Sequence, residues 1–133
     1  MKKCKYRRGY KYQLAEDYCH HVGLFPKEDI VTEFLVLTTK GKLLIKRGYA
    51  WDGPSGPSID TDTFMRGSLV HDAGYQLIAQ GHLHKRVRPY LDRMLKNICL
   101  EDGMFSFRAW YVYKTVRKFG GGHLNRKVTF TAP

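Results

Sequence analysis

The sequence predicts an α+β fold: an N-terminal antiparallel β-meander or hairpin followed by a three-helix half. Three observations predict it. In "EFLVLTTKGKLLIKRG" two apolar, β-branched runs flank Lys40-Gly41, the pattern of paired strands about a tight turn. "YAWDGPSGPSIDTDT" then breaks regular structure with clustered Pro and Gly. Beyond it, Phe64, Leu69, Val70, Tyr75, Leu77 and Ile78 supply the apolar positions of a helix. With 133 residues the chain is read as one domain: a β-region over 1–49, a loop over 50–62, a helical region over 63–120 and a C-terminal arm over 121–133.

In chain order, "YKYQLAEDYCHHVG" is aromatic and partly alternating, which suits a strand. The hairpin about Lys40-Gly41 follows. Asp60, Thr61 or Asp62 is placed to cap a first helix running to about Ala79. Pro89 suits the first turn of a second helix, which reaches about Leu100, with Gly103 after its end. A third helix is expected from about Ser106 to Phe119, where Gly120–Gly122 would stop it. The tail "HLNRKVTFTAP" is read as a surface arm or a last edge strand.

The formal net charge of +11 is high for this length and implies an anionic partner: nucleic acid, anionic lipid or an acidic protein face. "MKKCKYRRGY" is basic but is followed by no apolar core of a signal peptide, and no apolar run is long enough to span a bilayer. Cys4, Cys19 and Cys99 are odd in number and widely spaced, so they outline neither a disulfide framework nor a zinc site. The expectation is a protein made and kept in a reducing cytoplasm.

Between Gly41 and Leu100 the only acids are Asp52, Asp60, Asp62, Asp72 and Asp92. Asp60 and Asp62 have a capping role open to them, and Asp52 an Asx-turn. Asp72 and Asp92 fall inside helices, where Asp is a poor residue. His71 and Tyr75 are four apart and share a helix face. Asp72 is turned about 100° from His71 and points elsewhere. Asp92, on the next and antiparallel helix, is then placed to hold the His71 imidazole in one tautomer, with Tyr75 donating to the same carboxylate. That leaves Asp72 to bind a hard cation with oxygens from the loop around Asp52 and Gly53.

Two resemblances rest on these residues. "GYAWDGPSGPSIDTDTFMRGSLVHDAGYQL", with "YLDRMLKNICLEDGM" and "RAWYVYKTVRKFGG", resembles a family of small phage and bacterial proteins of unknown function, over about residues 10–122. That resemblance implies a phage or prophage origin, with synthesis in the host cytoplasm and a place in the virion as a further option. H-D-x-x-Y is also similar to the active-site helix of the phospholipase A2 superfamily. There the His activates a water, the adjacent Asp binds calcium, and the Tyr and a second-helix Asp orient the His. The likeness implies those roles for His71, Asp72, Tyr75 and Asp92, with Asp52-Gly53 standing where one bacterial branch has an Asp-Gly in its calcium loop. The chain departs from that superfamily in lacking the Cys residues that flank the His of the animal enzymes, in its proline-rich loop, and in its N-terminal β-region.

These readings imply a calcium-dependent lipid esterase acting at anionic membranes. The alternative is a non-enzymatic virion or assembly protein, in which the same four residues are a structural network and the charge meets DNA or acidic phage proteins. A nucleic-acid binder working through "KKCKYRRGYKY" is a third reading. Other motifs carry less. Cys19, His20 and His21 alternate sides of a strand, and nothing brings His82 and His84 to them. Ser55 in G-P-S-G-P lacks the spacing of a nucleophile elbow. Trp110, Tyr111 and Tyr113 read as core or partner surface.

Overall fold

A computed structural model describes residues 6–7, 12–51 and 62–125, with side chains described at 12–51 and 62–120. The chain divides into two compact units, an N-terminal β unit and a C-terminal helical unit. Among the described residues the order is seven short strands followed by three helices, an α+β fold.

The strands are β1 (Tyr6–Arg7), β2 (Tyr12–Leu14), β3 (Tyr18–His21), β4 (Ile30–Val31), β5 (Leu35–Leu37), β6 (Lys42–Ile45) and β7 (Ala50–Trp51). They form two antiparallel sheets rather than one meander, in the orders β1-β2-β7 and β3-β6-β5-β4. The expected hairpin is β5–β6. Its register sets Leu35 against Ile45 and Leu37 against Leu43, so all four share one face, and all four are buried. Thr38 to Gly41 close it through a Gly41 N–H to Thr38 carbonyl bond of 3.0 Å, with Gly41 at φ +86°. The stretch read as one strand, "YKYQLAEDYCHHVG", is two. Its halves belong to different sheets, and the carboxylate of Asp17, between them, accepts the backbone N–H of Arg47 at 2.8 Å. Ala50 and Trp51, assigned to the loop from sequence, are the β7 edge strand paired with β2.

The helices are α1 (Asp62–Ala79), α2 (Arg88–Glu101) and α3 (Ser106–Asn125), with a short 3-10 turn at Lys85–Val87. Both α1 and α2 stop at a glycine with positive φ. His82 N–H reaches back to the Leu77 carbonyl around Gly81, and Met104 N–H to that of Cys99 around Gly103. The expected stop of α3 at Gly120–Gly122 is not observed: the helix continues to Asn125, five residues past Gly120. Glycine weakens a helix by only about 1 kcal/mol per residue, which packing of the same helix offsets. The remainder of the expected arm, 126–133, lies outside the described residues.

Helix α2 packs against both other helices. Phe64, Leu95, Cys99, Met104, Ala109 and Val112 form the buried cluster that joins all three. The approach of α1 to α2 is close. A Cβ on Gly67 would sit 3.0 Å from a Leu95 methyl, and one on Gly74 2.8 and 2.9 Å from the two methyls of Leu91. Gly74 thus admits a side chain of α2. Arg66, buried on α1, donates to both oxygens of Asp102 and, at 2.6 Å, to Glu101. Two acids at the C-terminus of α2 oppose its dipole, and the guanidinium compensates them.

Candidate functional site

The site is built where α1, α2 and α3 face one another. Asp92, one turn into α2, has 0% of its surface exposed. A bare buried carboxylate would be costly, and this one is saturated. Its Oδ1 is 2.7 Å from His71 Nε2 and 2.6 Å from the Tyr75 hydroxyl, which donates to it. Its Oδ2 accepts from the Arg117 guanidinium of α3 at 2.7 Å. Burial alone would raise the Asp92 pKa, but the hydrogen bonds from His71 and Tyr75, with the nearby positive charges, outweigh it and hold the group below the ordinary carboxylate value. An ionised carboxylate only accepts, so His71 Nε2 is the protonated nitrogen of that pair.

The opposite ring nitrogen, Nδ1, faces Asp72, with 3.9 Å to Oδ1. Asp72 stands at the edge of the site, its side chain 37% exposed against 9% for His71. Burial works against charge on His71. The carboxylates of Asp72 and Asp92 overcome that, and the His71 pKa lies above its ordinary value. The charges explain the direction. Both carboxylates act on the ring by hydrogen bonding and by charge, Asp72 more strongly than Asp92. Tyr75 stacks obliquely on His71, ring centres 4.2 Å apart. Burial and the bond to Asp92 push its hydroxyl pKa upward, so it stays protonated and keeps donating.

An outer ring fixes these groups. Arg88 Nε donates to the Tyr75 oxygen at 3.1 Å, and the same guanidinium donates to the Arg117 backbone carbonyl at 3.0 Å. The backbone of α3 closes in at Gly120, where a Cβ would lie 2.7 Å from the Tyr75 oxygen. The structure therefore brings together His71, Tyr75 and Asp92, and sets Asp72 beside His71 on the outer side. Asp52 and Gly53, read from sequence as further cation ligands, lie outside the described residues, as does Ser55. Arg117 and Arg88 were not found from sequence. The available signal was that a buried Asp92 needs a cation, but 23 Lys and Arg give no means of choosing it.

No family model, curated protein or solved structure matches this chain.

As a cation site, Asp72 offers one partly exposed carboxylate, the chemistry a hard cation prefers. Among the described residues no three His, Cys, Asp or Glu side chains converge, so the remaining oxygens would come from elsewhere, Asp52 and the Gly53 carbonyl being the donors read from sequence. No helix among the described residues is long and apolar enough to cross a membrane.

Proposed function

We propose that the helical unit is a phospholipase A2-like lipid esterase of phage origin, acting at anionic membranes with His71 as general base. One observation carries the reading: Asp92 holds His71 by Nε2 and leaves Nδ1 turned to the outer, Asp72 side. A water hydrogen-bonded at Nδ1 would give up its proton there as its oxygen attacks an ester carbonyl, and the imidazolium would return that proton to the departing alcohol oxygen as the ester C–O bond breaks. Asp92 would stabilise the imidazolium formed, without itself taking the proton. Tyr75, Arg117 and Arg88 are positioning residues. They keep Asp92 ionised and the ring in one orientation. Calcium, when bound, would polarise the carbonyl and stabilise its oxyanion, and Asp72, Asp52 and the Gly53 carbonyl are the groups that would hold it.

A second reading is favoured by a different observation. Both oxygens of Asp92 are occupied from α1 and α3, so the network also serves as a clamp joining three helices. In that case the chain is a non-enzymatic virion or assembly protein whose basic surface meets DNA or acidic neighbours. Fatty-acid release from phosphatidylglycerol vesicles, measured across a calcium titration, separates the two. The esterase predicts release by the wild type. His71→Gln should lower it by about 10²- to 10⁴-fold, the usual contribution of a positioned base. Asp72→Asn, a substitution at a partly exposed carboxylate, should remove the calcium dependence while leaving the fold intact by circular dichroism. A wild type that releases nothing at any calcium concentration overturns the esterase and leaves the clamp.

A further inference from the structure

Helix α3 carries its largest rings on the wrong side for a core helix. Ala109 and Val112 are buried and Val116 packs against the same cluster, yet Phe107, Trp110 and Tyr111 are 77%, 52% and 62% exposed. At about 100° per residue, Phe107, Trp110, Tyr111, Lys114 and Lys118 fall within an arc of roughly 100°, opposite the buried stripe. Lys114 belongs to the ring face, its Nζ 5.7 Å from the centre of the Trp110 ring, while the Nζ of Lys118 on the same arc lies 5.5 Å from the ring centre of Phe119, which borders the arc on one side. Phe105, 83% exposed, extends the apolar area just ahead of the helix. Exposed rings on this scale mark an interaction surface.

We infer that this face of α3 is a docking surface for an anionic lipid layer, with the rings entering the interface and Lys114 and Lys118 meeting headgroup phosphates. Tryptophan and tyrosine suit that boundary because each has an apolar body and a polar edge. Lysine keeps its charge at the headgroups while its stem lies along apolar surface. Charge complementarity selects an anionic layer, since the cations on this arc have no acid among them and the chain is strongly basic overall. The inference rests on the esterase reading for its choice of a membrane, but the two fail separately: hydrolysis depends on His71, partition on α3.

The test is binding of the full chain to phosphatidylglycerol and to phosphatidylcholine vesicles, by co-sedimentation and by tryptophan emission. Trp51 is buried, so a blue shift on phosphatidylglycerol that disappears in Trp110→Phe reports Trp110 itself. The triple variant Phe107→Ser/Trp110→Ser/Tyr111→Ser should bind at least about tenfold more weakly, since one fully buried ring is worth roughly that. Lys114→Gln and Lys118→Gln should each weaken binding roughly fivefold and reduce its salt dependence. All five positions are solvent-facing or nearly so, and circular dichroism checks that each variant folds. His71→Gln should bind as the wild type does. The proposal is overturned if the triple variant binds like wild type, or if neutral and anionic vesicles bind equally. It is overturned too if a single-stranded oligonucleotide or a second copy of the chain, and not vesicles, shifts Trp110.

Discussion

Asp92 is the residue on which the helical unit turns, because it is fully buried, ionised and bonded from two other helices. Asp92→Asn keeps the shape and removes the charge. Arg117 then lacks its counter-ion, and one amide oxygen must serve donors that two carboxylate oxygens served before. Removing one partner of a buried ion pair costs about 3–5 kcal/mol, and Arg117, 31% exposed at its side chain, can regain some of that from water. The expected loss is therefore about 2–4 kcal/mol, read from urea unfolding, and the histidine pKa followed by NMR should fall. A variant as stable as wild type would show that the pairing carries no net energy. At this scale the sequence was informative where local rules apply. Asp in mid-helix is unfavourable, and a His and Tyr four apart share a face, which together picked out His71, Tyr75 and Asp92. Arg117 lies 25 residues from Asp92, and no local rule connects them.

Among the elements, α3 shows how tertiary packing overrides a local signal. Three consecutive glycines read as a helix stop, yet the helix continues, and the first of them sits against the hydroxyl end of Tyr75. Gly120→Ala raises intrinsic helix propensity by about 1 kcal/mol. The added methyl would also lie 2.7 Å from the Tyr75 oxygen and 3.2 Å from its ring edge. That ring is rigid, stacked on His71 and bonded to Asp92 and Arg88, so it has no easy direction of retreat. Overpacking of this kind costs about 1–3 kcal/mol, so the net effect should be destabilising or neutral despite the better helix former. The Tyr75 ring resonances should shift in the NMR spectrum, while Gly81→Ala, at a turn with nothing nearby, should leave them alone. Unmoved Tyr75 resonances in Gly120→Ala would mean that α3 does not approach Tyr75 as described. The other misread element has a similar cause. The break between β2 and β3 contains neither Gly nor Pro. There β2 pairs with β7 and β3 with β6, and a long-range bond from the Arg47 N–H to Asp17 spans the break, none of which a window of sequence reveals.

For the whole molecule, the switch from paired apolar runs to helical spacing was legible, and with it the α+β order. The division of the strands between two sheets was not, since register between distant strands depends on which edge each meets. The global property most open to test is the dependence of stability on pH, taken with a chelator present. His71 has a folded pKa above its ordinary 6.5. Its contribution is fully present below that value and is lost as pH rises through the raised folded pKa. Asp92 has a folded pKa below its ordinary 3.8. Its contribution is fully present above 3.8 and is lost as pH falls through the lowered one. Between 3.8 and 6.5 both are present in full, so these two groups favour a stability plateau in mildly acidic solution. The net charge of +11 works the other way, since raising pH relieves self-repulsion and adds stability. The two are separated by subtraction. The urea midpoint of wild type minus that of His71→Gln removes the diffuse charge effect, which both share. That difference should be flat through the acidic plateau and fall above pH 6.5. A difference that instead grows as pH rises would mean that His71 is held neutral in the fold, with Asp72 exerting no pull on it.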